Sequence, residues 1–174
     1  MPKPKKLSHI VFRTSRMDEM IGWYQSVTHS EIAFRSPKAC FMGFDEEHHR
    51  LGFIAVPNLG DHLEDRAGLE HVGFTFDTMD DLLEAYVEQR DRGIIPVSAT
   101  NHGPTTSIYY KDPDGNRVEI LYDNFKSPED GQRFVQSEAF QKNPMGLAFD
   151  PEQLLRCARE GVPLERLAAY EALP

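Results

Sequence analysis

Residues 69–86 read LEHVGFTFDTMDDLLEAY, and residues 7–24 read LSHIVFRTSRMDEMIGWY. Laid over each other without a gap, Leu69 falls on Leu7, His71 on His9, Phe74 on Phe12, Met79 on Met17, Asp80 on Asp18 and Tyr86 on Tyr24. Chance can pair two histidines, but it does not keep a whole register, so the chain is read as a duplicated unit. Each copy opens on a strand whose apolar residues alternate. A helix follows, marked by Met17, Met20, Ile21, Tyr24 and Val27 in the first copy and by Met79, Leu82, Leu83, Tyr86 and Val87 in the second. Ser15 is expected to cap the first helix and Gly93 to end the second. Further strands are expected at 31–35, 39–44 and 50–56, then at 94–97. The second copy closes with a hairpin whose strands at 108–110 and 118–121 are joined by the turn Asp112-Pro113-Asp114-Gly115.

The fold expected is therefore α+β: two tandem βαβββ modules, 7–56 and 69–123, forming a curved, cup-like mixed sheet within one domain of residues 1–124. Residues 57–68 read as a linker. Residues 125–174 match neither copy and read as a helical extension of the same domain, with two or three short helices. Ser127-Pro128 and Asp150-Pro151 look like helix starts, a capping side chain followed by proline at the first helical position.

The 174 residues, 40% hydrophobic and 27% charged, suit one soluble domain with a real core. No apolar run reaches membrane-spanning length, and the first residues lack the apolar segment of a signal peptide, so the cytoplasm is the expected location. A net charge of -9 argues against nucleic acid or an anionic membrane as the main partner. Cys40 and Cys157 are expected as free thiols. Neither belongs to a Cys-x-x-Cys pattern, so any metal here falls to histidines and carboxylates. Self-association is left open.

Alternation assigns those side chains to faces. His9 lies opposite Ile10 and Phe12, His71 opposite Val72 and Phe74, and Glu119 opposite Val118 and Ile120. The apolar faces must meet the helices, which sends the two imidazoles and the carboxylate to the other face. A carboxylate in an apolar run either faces solvent or has a reason to point inward. Two histidines and one carboxylate form the ligand set of non-haem Fe(II) oxygenases, with open positions left on the metal.

The run Thr100-x-His102, Ile108-Tyr109, Asp112-Pro113-x-Gly115 and Glu119 resembles the signature of type I extradiol ring-cleavage dioxygenases of the vicinal oxygen chelate superfamily. Glu47-His48-His49-Arg50-Leu51-Gly52-Phe53 is similar to that family's paired-histidine segment, and the resemblance spans residues 7–123. It implies a domain of that family, with His9, His71 and Glu119 as metal ligands. It further implies that His49 moves protons, that Tyr109 hydrogen-bonds the catechol oxygen, and that His102 lines the substrate side. Fe(II) is the implied cofactor, with Mn(II) acceptable to the same ligands; the implied partners are a catecholic substrate and O2.

Other enzymes of that superfamily compete with this reading: fosfomycin-resistance-like transferases, glyoxalases and epimerases. Glyoxalases usually use two carboxylates, and the first-copy position equivalent to Glu119 is Gly52. Bleomycin-resistance modules, which bind without catalysis, lack the ligands. Phe41, Phe53, Trp23 and the tail are candidates for shaping a pocket, while His29 and His62 read as surface residues.

Overall fold

In the computed structural model, Phe12 and Thr14 of β1 (Ile10–Thr14) are buried while Val11 and Arg13 face out, the alternation expected of a strand with one covered face. All residues are described except Asp61, Glu64, Ala172 and Pro174; the first two belong to the expected linker and so lie outside the described part of it. His9, expected within the first strand, lies just ahead of it and is exposed. The chain divides into two units, residues 1–68 with 112–116, and residues 69–111 with 117–174.

In the first unit α1 (Met17–Thr28) buries Met20, Ile21, Tyr24 and Val27. Ser15 does not cap it. The cap position is Arg16, without a side-chain bond, and the Ser15 hydroxyl donates instead to the Leu59 carbonyl at 3.2 Å. Ser15 stands one residue too early for its oxygen to serve the first-turn amides. The strands β2 (Glu31–Arg35), β3 (Ala39–Gly43) and β4 (Leu51–Ala55) complete a four-stranded sheet of order β1-β4-β3-β2, with β1 and β4 parallel. Its core is aromatic: the rings of Phe12, Tyr24 and Phe53 lie 5.3–5.6 Å apart. Phe53, a candidate pocket residue from sequence, is wholly buried in that core. The turn 112–116 belongs to the same unit. Tyr24 donates to Asp112 Oδ2 at 3.1 Å, and the Arg16 guanidinium meets Asp114 at 3.0 Å.

The second unit repeats the order with β5 (His71–Phe76), α2 (Met79–Asp91), β6 (Ser98–Asn101), β7 (Thr105–Lys111) and β8 (Arg117–Asp123). Thr78 and Asp81 form a reciprocal capping box at the start of α2. Gly93 follows the helix at a φ of 80°, as expected. β6 begins at Ser98 rather than at residue 94, because Pro96 has no N–H to give a sheet ladder. Among its described residues the tail holds four short helices, where two or three were expected: α3 (Pro128–Val135), α4 (Glu138–Lys142), α5 (Pro151–Arg159) and α6 (Leu164–Leu167). Ser127 and Asp150 cap α3 and α5 with proline at the start, as the sequence predicts. The tail also supplies β9 (Leu147–Ala148), which pairs with β6 and gives a five-stranded sheet of order β5-β8-β7-β6-β9. Each module thus builds its own open mixed sheet. Both cysteines are buried and unpaired with each other, and no helix among the described residues is long and apolar enough to cross a membrane.

Candidate functional site

Val118 and Ile120 of β8 are fully buried, so the intervening Glu119 must project from the opposite face, where only 6% of its surface remains exposed. Its carboxylate is held on both sides. Oε2 lies 3.1 Å from His71 Nε2, and Oε1 accepts a hydrogen bond from the Tyr109 hydroxyl at 2.8 Å. The strand register explains the meeting, since Glu119 stands directly between Gly73 on β5 and Tyr109 on β7. Gly73 leaves the room: a Cβ there would sit 3.0 Å from Glu119 Oε2.

Around this pair the groups are tied back. His71 Nδ1 bonds the Glu70 carboxylate, which also meets Arg117 Nη1 at 3.2 Å. Arg117 Nη2 donates to Ser98 Oγ at 2.7 Å, and the guanidinium lies 4.7 Å above the Tyr109 ring. His102 Nε2 lies 2.8 Å from the Tyr109 oxygen, and its ring also bonds the backbone of Met145. Burial, followed by the neighbouring Glu119, pushes the Tyr109 phenol far above its ordinary range, so it remains a donor at neutral pH. Burial also lowers the His102 pKa, outweighing the opposite pull of Glu119 and Met145, and favours the neutral imidazole.

The loop carrying His102 is braced by the tail. Gly103 turns at a φ of 91° against the Phe134 ring, where a Cβ would collide at 2.0 Å. Asn101 donates to the Ala169 carbonyl at 2.8 Å, and Asn124 donates to the Gly103 carbonyl at 2.9 Å. A cavity of about 800 Å³ opens beside this loop, lined by Pro104, Asp123, Phe125, Lys126 and Val135 among others.

The first unit brings His9 and His49 together, their rings stacked at 4.6 Å, with the Phe41 ring tilted against His49 at 4.9 Å. Partial desolvation, then His48 and His9, lowers the His49 pKa, which favours its neutral form. Trp23 packs edge-on against Tyr24. Among the described residues no group of three or more His, Cys, Asp or Glu is gathered closely enough to hold a metal ion. The second unit supplies a facing imidazole–carboxylate pair, and His9 belongs to the first. A nitrogen and an oxygen donor aimed at each other, with their far atoms held by Glu70 and Tyr109, fit a divalent transition metal.

The sequence model of the Glyoxalase/Bleomycin resistance protein/Dioxygenase superfamily matches residues 6–120. The chain belongs to that superfamily. Among its superfamily relatives, "Biphenyl-2,3-diol 1,2-dioxygenase 2" of Rhodococcus globerulus is 37% identical over 98% of this chain and 90% of its own length. "Biphenyl-2,3-diol 1,2-dioxygenase 3" of the same organism is 38% identical over 93% of this chain and 86% of its own. A solved superfamily domain from Frankia sp. EAN1pec has a TM-score of 0.59 at 17% identity, covering 70% of this chain and 99% of its own, which is likeness of fold. The matches to the two Rhodococcus relatives therefore reach into the tail, beyond the stretch matched by the superfamily model.

Sequence reasoning did not single out Glu70, Arg117, Asn101 or the Met145 backbone. A signal existed for two of them: Glu70 adjoins His71, and Arg117 precedes Glu119 by two residues, hence on the same strand face.

Proposed function

We propose that this chain is a non-haem Fe(II) extradiol dioxygenase that opens a catecholic ring beside its hydroxyl pair and places both atoms of O2 in the product. The observation that carries the reaction class is the identity to biphenyl-2,3-diol dioxygenases across nearly the whole chain, tail included. The His71–Glu119–Tyr109 row supports the location. His71 and Glu119 would hold the metal, and the repeat register nominates His9 as the third ligand. Mn(II) is the alternative ion for the same donors. When bound, the metal supplies contact with both catechol and O2 and a lowered catechol pKa.

The remaining work falls to the chain's own groups. Tyr109, protonated at working pH, gives its one phenol proton to Glu119 Oε1 in the substrate-free site and turns it to a substrate oxygen when the catechol binds, while His102 Nε2 lies 2.8 Å from the phenol oxygen. His49, neutral beside His9, accepts and returns the hydroxyl proton, a role worth roughly 10²–10⁴-fold. The tail holds the His102 loop, so residues 125–174 act as an extension of the domain formed by 1–124. A glyoxalase-type site with a second carboxylate is disfavoured, because the strand register puts Gly52 where such a group would stand.

The test is anaerobic purification with Fe(II), followed by oxygen uptake and visible absorbance with 2,3-dihydroxybiphenyl and with catechol. The expected result is one O2 consumed per ring opened, with a yellow product. Iron-loaded protein that consumes no oxygen with any catechol would overturn the reading.

A further inference from the structure

Arg117 stands beside His71 in the parallel β5–β8 register and two residues before Glu119 on one strand face. From there its guanidinium reaches three neighbours on three other segments. It pairs with Glu70 at 3.2 Å, donates to Ser98 on β6 at 2.7 Å, and covers the Tyr109 ring on β7 at 4.7 Å. Glu70 bonds the far nitrogen of His71, and Tyr109 bonds the far oxygen of Glu119. His71 and Glu119 then face each other at 3.1 Å. The contacts close into a ring that runs Arg117, Glu70, His71, Glu119, Tyr109 and back to Arg117.

We infer that Arg117 is a positioning residue for the metal site, fixing the outer partners of both His71 and Glu119 with one planar side chain. A carboxylate on the distal imidazole nitrogen sets which nitrogen is free to ligate and turns the ring toward the metal. A phenol on the distal carboxylate oxygen does the same for the glutamate. Tyr109 is buried and also meets His102, whereas Glu70 is an exposed side chain that needs an anchor. The guanidinium supplies the anchor, and its fork and flat face do jobs that a lysine ammonium cannot combine. The inference rests on the proposed ligand roles of His71 and Glu119.

The experiment measures Fe(II) affinity of the apoprotein under anaerobic conditions by competition with a chromogenic chelator, for wild type, Arg117→Met, Arg117→Lys, Glu70→Gln and His71→Ala. Thermal midpoints of the apoproteins and KM at saturating Fe(II) are read alongside. Arg117→Met is expected to weaken Fe(II) binding about 10-fold, the low end of the roughly 10–100-fold cost of losing a ligand's direct outer partner, because it loosens both such partners without removing either. Arg117→Lys should restore only part of that loss, with midpoint and KM near the wild-type values. Arg117→Met combined with Glu70→Gln should fall well short of the product of the two single effects, because both break one ring. Should Arg117→Met not fold, Arg117→Lys and Glu70→Gln carry the same test. Wild-type affinity in the Arg117 and Glu70 variants, with iron lost from His71→Ala, would overturn this inference alone. Full affinity in His71→Ala would overturn the ligand assignment beneath it.

Discussion

The two modules place different side chains on one backbone register. In the first, Val11, Gly52 and Phe41 stand in a row across β1, β4 and β3; in the second, Gly73, Glu119 and Tyr109 stand in the equivalent row across β5, β8 and β7. Each row has one glycine, but on opposite strands. A Cβ on Gly52 would meet the Val11 side chain at 3.1 Å, whereas a Cβ on Gly73 would meet the Glu119 carboxylate at 3.0 Å. The glycine marks where the neighbouring side chain lies down. Duplication preserved the frame, and exchange of three residues made one row apolar and the other a buried carboxylate with a phenol to hold it. What the first module offers instead is the stacked His9–His49 pair at the end of its sheet.

Turning the second row into the first should have the largest effect. Gly73→Val with Glu119→Gly is expected to abolish iron retention and to lower oxygen uptake by more than the roughly 10–100-fold that outer-partner changes cost. Metal analysis after gel filtration, with an oxygen electrode, reads both. Tyr109→Phe makes a smaller exchange, copying Phe41. It should still load iron at saturating Fe(II) but slow kcat roughly 10²-fold, since the one phenol proton, given to Glu119 before substrate binds and to the substrate afterwards, is lost; steady-state kinetics at saturating Fe(II) measures this.

The helices extend the comparison to stability. Tyr24 and Tyr86, equivalent in the repeat, both donate to carboxylates, but Tyr24 meets the buried Asp112 and Tyr86 the half-exposed Glu152. Tyr24→Phe should therefore cost about 1–3 kcal/mol in urea unfolding, and Tyr86→Phe about 1 kcal/mol or less. Burial raises the Asp112 pKa, opposed by its hydrogen bonds from Asn116, Tyr24 and Asp114. The native carboxyl thus holds its proton to higher pH than the unfolded one. That contribution is full below the unfolded value of roughly 3.9 and is lost as pH rises through the raised native value. Asp112→Asn should flatten this part of the stability profile, which urea midpoints measured upward from the unfolded value would show. A similarly small effect is expected from Gly52→Ala, about 1 kcal/mol or less from crowding against Val11 and relieved in a Val11→Ala background.

Much of this was legible in the chain itself. The gapless match of residues 7–24 with 69–86 announces two modules, and alternation around Val118 and Ile120 by itself turns Glu119 away from the helices. The capping pairs Ser127-Pro128 and Asp150-Pro151 were read for the same local reason: a cap acts over three residues. What escaped was non-local. β9 is two residues long and exists only because β6 offers an edge, and Arg117 matters through partners that lie far from it in sequence. Ser15 shows the limit from the other side, since a one-residue offset converts a capping serine into a partner for Leu59.

The central claim is that the carboxylate of the second row holds the metal. The most direct measurement is the iron retained per chain by Glu119→Ala after anaerobic loading and gel filtration, beside wild type. About one iron per wild-type chain and none in the variant is the predicted result. Iron retained equally by both proteins would contradict it.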